Sequence, residues 1–99
     1  MRLLFRTVFF LAALLSLMRA QSVEPITLLG VKLEGNDMTS PGIIKYTSGL
    51  VEGKRIIPGD FGRSVKKLWD TGLFSDVQIL LDQESAEGIY ITIKVKENP

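Results

Sequence analysis

The side chains that most often carry out catalysis are scarce in this sequence. It contains no histidine and no cysteine, which removes the usual proton-transfer group, the thiol nucleophile and the usual ligands of a zinc site. Its carboxylates are scattered, mostly in turns, and no pair lies in an apolar segment that could separate two pKa values for acid and base roles. The sequence therefore predicts a protein that is not an enzyme and that has no metal or cofactor site.

The amino-terminal segment, residues 1–20, has the pattern of a secretory signal peptide. Two arginines near the start precede an apolar run, and Ala20 provides a small residue for cleavage. An apolar run of about 11 residues is too short to cross a bilayer of about 30 Å as a helix. We expect cleavage after Ala20. The alternative is an uncleaved membrane anchor, since Met18 is larger than the residue usual at its position before a cleavage site.

The charge and size of the exported part follow from this leader. The whole chain has 12 basic and 11 acidic residues; without Arg2, Arg6 and Arg19, nine basic residues remain against the 11 acidic ones, a net charge of −2. No basic stripe with interleaved aromatic residues remains, so nucleic acid is not an expected partner. Without cysteine, no disulfide stabilises the fold. A core built from about 80 residues is thin, so we expect neighbouring domains to support it.

The central element of the exported part is an amphipathic helix that begins near Asp60, which can cap it. Apolar residues recur at the spacing of one helical stripe: Phe61, Val65, Leu68 and Trp69. This stripe predicts that Trp69 packs in the core; the alternative is an exposed anchor for a partner. Gly72 follows at the point where the helix must end, because a residue without Cβ adopts the left-handed conformation of a helix stop.

Three further segments alternate apolar and polar residues as half-buried strands do. They cover residues 26–34, 77–82 and 89–96, and in the first of them we expect Leu29, Val31 and Leu33 to share one face. A polar segment at residues 83–88 is typical of a hairpin loop between the last two strands. A turn at Gly35-Asn36-Asp37 ends the first strand, a short helix begins at Ser40-Pro41, and residues 50–59 are irregular.

The order strand, helix, helix, strand, strand predicts an α+β fold. The simplest arrangement is a three-stranded mixed sheet with two helices packed on one face. The last two strands pair as an antiparallel hairpin, and the first lies parallel to the last, with the helices as crossover. The strand at residues 77–82 then occupies one edge of the sheet, and the first strand occupies the other.

A sheet with free edges can accept an extended peptide as an added strand, with backbone groups forming the hydrogen bonds. The strand at residues 77–82 carries one charge, at its end, and no proline, so little protects it from such pairing. The alternative is an edge that binds nothing in a domain that acts as a spacer. The predicted peptide-binding edge consists of Val77, Gln78, Ile79, Leu80, Leu81 and Asp82.

Three motifs, taken in order, resemble those of the polypeptide-transport-associated (POTRA) domain. The first strand ends in Gly35-Asn36, residues 68–77 follow a Leu-x-x-Thr-Gly-x-Phe-x-x-Val pattern, and residues 95–99 follow Val-x-Glu-x-Pro. The resemblance covers residues 26–99. With a leader directly before it, the chain is similar to the amino-terminal repeat of the outer-membrane protein assembly factor (BamA) family. The matching roles are structural, with Gly35 and Gly72 as turn residues and Phe74 and Val77 in the core.

The resemblance implies a periplasmic β-α-α-β-β domain at residues 26–99, after a signal peptide (1–20) and a connector (21–25). In that family such domains precede further repeats and a membrane β-barrel on the periplasmic side of the outer membrane of Gram-negative bacteria. The implied partners are unfolded outer-membrane proteins, accessory lipoproteins and neighbouring POTRA repeats. No barrel strand is among these 99 residues, so the functions of a barrel are not assigned to them.

Three other functions are compatible with the same sequence. A POTRA domain also occurs in division proteins of the FtsQ type, where an uncleaved leader anchors the chain in the inner membrane. Another belongs to the transporters of two-partner secretion systems. A secreted binder of small molecules ranks last, because no group of convergent polar residues indicates a pocket.

Overall fold

The computed structural model describes residues 24–99. The predicted signal peptide and residues 21–23 of the predicted connector lie outside the described residues. The elements are β1 (Ile26–Glu34), α1 (Pro41–Ser48), β2 (Arg55–Ile56), α2 (Gly59–Asp70), β3 (Phe74–Ser85) and β4 (Gly88–Glu97). Within the described part of the chain, neither helix is long and apolar enough to cross a membrane.

The strands form one sheet in the order β2-β1-β4-β3. β4 pairs antiparallel with β3 and parallel with β1, as the sequence predicts. The predicted number of three strands is wrong, because β2 adds a fourth strand antiparallel to the start of β1. The Leu28 N–H donates to the Lys54 carbonyl at 2.9 Å, and the Gly53 N–H donates to the Leu28 carbonyl at 2.7 Å. A two-residue strand is too short to show alternation, so the sequence pattern gave no sign of it.

β1 contains a bulge that changes which of its side chains face the core. Leu28 lies opposite Ile89 and Gly30 opposite Tyr90, so β1 has one extra residue, Leu29, against β4. Leu28 is fully buried, and Leu29 is only partly buried. The prediction that Leu29 shares the face of Val31 and Leu33 is therefore wrong, because Leu29 is the extra residue of the bulge. Strict alternation cannot anticipate this, since a bulge resets the period of two.

The core lies between the sheet and the two helices. A hydrogen bond joins the helices at its margin: the buried Ser64 hydroxyl on α2 donates to the carbonyl of Ser48, the last residue of α1, at 2.6 Å. This carbonyl is one of the four that a helix leaves unpaired at its carboxyl end. The fully buried large side chains are Leu28, Ile44, Leu50, Ile56, Leu68, Ile91 and Ile93.

The two helices differ in whether the predicted residue caps their amino-terminal end. α1 begins as predicted: Ser40 is the N-cap, its hydroxyl accepts the Ile43 N–H at 3.4 Å, and Pro41 is the first helical residue. In α2, the predicted cap Asp60 lies inside the first turn. Its carboxylate instead accepts the Ile57 N–H at 2.9 Å and pairs with Arg63. Both interactions lower the pKa of Asp60, and the hydrogen bond from the Ile57 N–H has the larger effect.

The residues that follow α2 form hydrogen bonds with Asn98, which follows β4. Gly72 has a φ of 74°, the left-handed conformation expected of it. The side-chain amide of Asn98 donates to the Gly72 carbonyl at 2.7 Å, and the Asn98 backbone N–H donates to the Leu73 carbonyl at 2.9 Å. These hydrogen bonds hold the residues that precede β3 against the residue that follows β4. The strand pairing then begins with the buried Phe74, which lies opposite Glu97.

Candidate peptide-binding edge and groove

β3 is the terminal strand of the sheet, with β4 on one side of it. It is 12 residues long, twice the predicted segment, and the polar loop predicted at residues 83–88 shortens to the two residues between β3 and β4. An edge strand presents unpaired backbone N–H and C=O groups along its outer side. All the residues of the predicted edge lie on this strand: Val77, Gln78, Ile79, Leu80, Leu81 and Asp82.

Two irregularities limit the part of β3 that can serve as a template. The pairing with β4 shifts between Phe74 and Asp76 and again between Leu81 and Gln83. Because a bulge twists its strand and interrupts the regular row of backbone groups, the regular edge consists of residues 76–81. Asp82 lies at the second shift, where its carboxylate accepts the Thr92 hydroxyl at 2.5 Å. Its side chain is therefore engaged within the sheet.

The side chains of the regular edge divide between the two faces of the sheet. Val77, Ile79 and Leu81 lie opposite the buried residues of β4 and so face the helices. Gln78 and Leu80 lie on the opposite, open face. A strand added to this edge would follow the same alternation, so every second side chain would enter the space between the sheet and α2.

That space is an apolar groove. A cavity of about 310 Å³ lies between the first turn of α2 and the middle of β3. Leu81 is 59% exposed beside it, a large exposed fraction for a side chain on the core face. The lining residues are Ile26, Phe61, Ile79, Leu81, Glu84, Ile89 and Ile91.

Trp69 lies in the last turn of α2, and the prediction that it packs in the core is wrong, since it is 51% exposed. Each step of four residues turns a side chain about 40° further around a helix of 3.6 residues per turn. From Phe61 through Val65 to Trp69, two such steps move the side chain away from the centre of the core, which Leu68 occupies. α2 is joined to β3 by only three residues, so Trp69 lies toward the beginning of β3, and Phe61 lies near Ile79.

Glu84 is the one charged residue that lines the groove, and sequence reasoning missed it. Strict alternation after Leu81 would place Glu84 on the open face. The register shift after Leu81 instead sets Glu84 opposite Ile89, on the face of the helices. Among residues 24–99 its carboxylate takes part in no ion pair. The only sequence signal that could have found it is its place near the end of an apolar strand.

The other predicted structural residues lie away from this groove. Gly35 adopts a φ of 85° directly after β1, and a Cβ on it would overlap the carbonyl oxygen of Val95. Gly72 and Phe74 lie at the start of β3, at the end opposite to Glu84. The structure therefore brings residues of the predicted edge together with Phe61, and keeps the turn residues apart from them.

At the opposite edge of the sheet, β2 pairs with the start of β1, and Glu52 lies near the middle of β1, beside Val31. The Glu52 carboxylate accepts a hydrogen bond from the Lys45 ammonium group at 2.8 Å, which is the main cause of its lowered pKa; the Val31 N–H contributes less. In residues 24–99 no three acidic, histidine or cysteine side chains gather to hold a metal ion.

The family of the chain is decided by a comparison with protein families. The family model described as "POTRA: Surface antigen variable number repeat" matches residues 27–98. The chain belongs to the POTRA family. This confirms the POTRA domain predicted from the three motifs, and the match includes all of the described strands and helices apart from Ile26, the first residue of β1.

A relative of similar sequence is a much longer protein. The outer membrane protein assembly factor BamA of Nitratidesulfovibrio vulgaris (strain Hildenborough) is 30% identical over 69 residues, which are 70% of this chain and 9% of that protein. The chain thus spans only a small part of that relative.

Solved structures show the same α+β fold. The N-terminal domain of Omp85 from Thermosynechococcus elongatus superposes with a TM-score of 0.63 and 19% identity, over 77% of this chain and 32% of that chain. POTRA1-3 of the periplasmic domain of Omp85 from Anabaena gives a TM-score of 0.64 and 16% identity, over 79% of this chain and 32% of that chain. POTRA1-2 of the periplasmic domain of Omp85 from Anabaena gives a TM-score of 0.62 and 15% identity, over 79% of this chain and 50% of that chain.

Proposed function

We propose that this POTRA domain is a non-enzymatic peptide-binding module of an outer-membrane protein assembly machine, placed on the periplasmic side of the outer membrane. The observation that carries the proposal is the regular, exposed edge at residues 76–81 beside an apolar groove. The relative from N. vulgaris is named as an assembly factor, and an Omp85 neighbour is described as periplasmic. These names support the setting of the proposal, and the edge supports its mechanism.

The proposed ligands are unfolded outer-membrane proteins. Their membrane strands consist of short segments in which apolar and polar residues alternate. Such a segment, added beside β3, would place its apolar side chains in the groove against Phe61, Ile79 and Leu81, and its polar side chains on the open face. Backbone hydrogen bonds supply most of the affinity in strand addition, and the pockets for alternate side chains supply the specificity.

The proposed module acts within a longer assembly. Two of the similar solved chains hold two or three POTRA repeats, which supports neighbouring repeats as partners of this domain. Because six regular edge residues offer few backbone hydrogen bonds, one module binds a client weakly. Several modules in one chain would raise the effective concentration of a second binding site for the same client. Accessory lipoproteins remain proposed partners, for which the exposed helical surfaces are available.

A nuclear magnetic resonance titration tests the proposed edge. The exported form of the chain, residues 21–99, is labelled with ¹⁵N and titrated with a peptide of alternating valine and threonine, acetylated and amidated at its ends. We expect chemical-shift changes along residues 76–81 and on α2 near Phe61. Shifts confined to other surfaces, or none at millimolar peptide, would contradict strand addition at β3.

Two lysine substitutions on neighbouring residues separate groove binding from an effect of charge. Leu81→Lys places a charged side chain in the apolar groove, and we expect it to weaken peptide binding at least about tenfold. Leu80→Lys makes the same change on the open face of the same strand and is expected to change affinity less than about twofold. Both residues are exposed, so both variants should stay folded. Equal effects of the two variants would overturn the proposed role of the groove.

A further inference from the structure

We propose that the groove beside β3 selects extended segments that carry a lysine or arginine at the end that meets Glu84. This inference rests on the proposed addition of a client strand to β3. It commits the groove to an occupant of stated chemistry: alternate apolar side chains, followed on the same face by one cation.

The position of Glu84 is the first observation. Glu84 lines the cavity with Phe61, Leu81 and Ile89, and every other lining residue is apolar. The bulge after Leu81 turns Glu84 onto this face. A client strand that follows β3 past Leu81 therefore meets a carboxylate at the place where the apolar lining ends.

The second observation is that Glu84 is not neutralised within the described chain. Arg63 on α2 pairs with Asp60, and Lys45 pairs with Glu52. Arg55 lines an adjoining cavity of about 290 Å³ together with Glu84, yet these two side chains form no ion pair among residues 24–99. The negative charge at the end of the groove is thus available to a ligand.

The charge of the strand itself points the same way. β3 contains Asp76, Asp82 and Glu84 and no basic residue. Asp76 lies opposite Lys96 on the open face, and Asp82 accepts the Thr92 hydroxyl. Glu84 is therefore the carboxylate of β3 that faces the groove and forms no ion pair with any of residues 24–99, and the edge as a whole disfavours an acidic client strand.

The reach of a basic side chain fits this arrangement. Side chains on one face of a strand are spaced by about 6.6–6.8 Å, so a client residue one alternate position beyond the partner of Leu81 lies beside Glu84. Lysine and arginine lay their methylene groups on apolar surface and keep the charge at the tip. Here the methylenes would contact Phe61 and Ile89, and the charged tip would meet the carboxylate. A glutamate at the same client position would place two like charges side by side.

Six matched peptides test the inference. Each has seven alternating threonine and valine residues that begin and end with threonine, is acetylated and amidated, and carries an added lysine, glutamine or glutamate at either its amino or its carboxyl end. The added residue then lies on the same face as the valines. Dissociation constants come from titration of the ¹⁵N-labelled exported chain at low salt. We expect lysine at one end to bind about threefold tighter than glutamine, and glutamate about threefold weaker, as for a partly exposed ion pair. The end that shows the preference identifies the direction of the added strand.

Two single-charge variants assign the preference to one carboxylate. Glu84→Gln is expected to abolish the difference between the lysine, glutamine and glutamate peptides. Asp76→Asn removes one negative charge from the open face of the same strand and is expected to keep that difference. Since Glu84 and Asp76 are both exposed, both variants should remain folded, which the dispersion of their spectra checks.

The possible outcomes distinguish a failure of this inference from a failure of the proposed function. If the peptides shift residues 76–81 equally whatever their charge, strand addition stands and charge selection is wrong. If the preference persists in Glu84→Gln, another group carries it and the inference is likewise overturned. If no peptide shifts the edge at all, both the inference and the proposed function fail. A preference lost in Glu84→Gln, kept in Asp76→Asn and reduced at high salt supports the inference.

Discussion

The carboxylate of Glu97 accepts the backbone N–H of Met38, with its two oxygens at 2.9 and 3.0 Å from the nitrogen. The same carboxylate accepts the hydroxyl of Thr39 at 2.6 Å. The two partners are far apart in sequence, and they meet because β1 and β4 are parallel neighbours whose carboxyl ends lie together. The closing Val-x-Glu-x-Pro motif therefore holds the loop that follows the Gly35-Asn36 motif. Motifs that identify the family serve here to close one end of the fold.

Replacing Glu97 by glutamine should lower the stability of the domain and flatten its response to acid. The Thr39 hydroxyl, and after it the Met38 N–H, lower the pKa of Glu97 below its usual value of 4.5. A lowered folded pKa stabilises the fold fully above the unfolded value, and this stabilisation is lost as the pH falls through the folded value. We therefore expect Glu97→Gln to melt at lower temperature at pH 7 and to lose less stability than the parent chain below pH 4.5.

Thermal melts followed by circular dichroism between pH 7 and pH 2.5 measure both effects. Glu87→Gln is the matched control, since it makes the same change in the exposed turn between β3 and β4. An unchanged melting temperature and acid profile for Glu97→Gln would show that this carboxylate does not hold the loop.

Gly35→Ala and Gly62→Ala should change stability in opposite directions. At Gly35 the φ of 85° and the overlap of a Cβ with the Val95 carbonyl both oppose alanine. The left-handed conformation alone costs about 1–2 kcal/mol, so we expect a loss of at least about 2 kcal/mol. At Gly62, inside α2, nothing lies within 4 Å of an added Cβ, and alanine should add up to about 1 kcal/mol. Urea unfolding of the two variants measures the difference; a neutral Gly35→Ala would contradict the geometry of this turn.

Ser64→Ala should weaken the contact between the two helices. The variant leaves the Ser48 carbonyl without its buried donor, and an unsatisfied buried acceptor costs about 1–3 kcal/mol. Ser75→Ala, which removes a longer and exposed hydrogen bond to the Lys96 carbonyl at 3.3 Å, should cost less than about 0.5 kcal/mol. Chemical denaturation of both variants tests this order, and a Ser75→Ala as costly as Ser64→Ala would refute it.

Trp69, the only tryptophan of the chain, should report by its fluorescence on a strand added beside the first part of β3. Because it is half exposed on the flank of α2, its emission in the free domain should lie between those of buried and fully exposed tryptophan. Binding of an alternating peptide beside β3 should shift the emission to shorter wavelength and protect it from acrylamide. Trp69→Ala should weaken binding by about 1 kcal/mol or more, with a smaller effect on folding. Peptide binding without any spectral change would place the ligand elsewhere.

The fold follows the sequence wherever local pattern and long-range pairing agree. The alternation at residues 89–96 matches β4, and Ser40-Pro41 begins α1 as predicted. The errors in the sheet fall where backbone pairing departs from the strict alternation of the sequence, as at the bulge in β1 and the added strand β2. β2 is held by hydrogen bonds of Gly53 and Lys54 to Leu28, which no short apolar run reveals.

The amino-acid sequence by itself determined the family, the α+β order of elements and the strand that forms the free edge, because repeating apolar patterns and turn residues act locally. Only the tertiary structure decided the character of the site. The register shift after Leu81 turned Glu84 toward the helices, and the angular drift of the apolar stripe around α2 left Trp69 half exposed. Both depend on how one element is set against another, a relationship that the period of a single element does not contain.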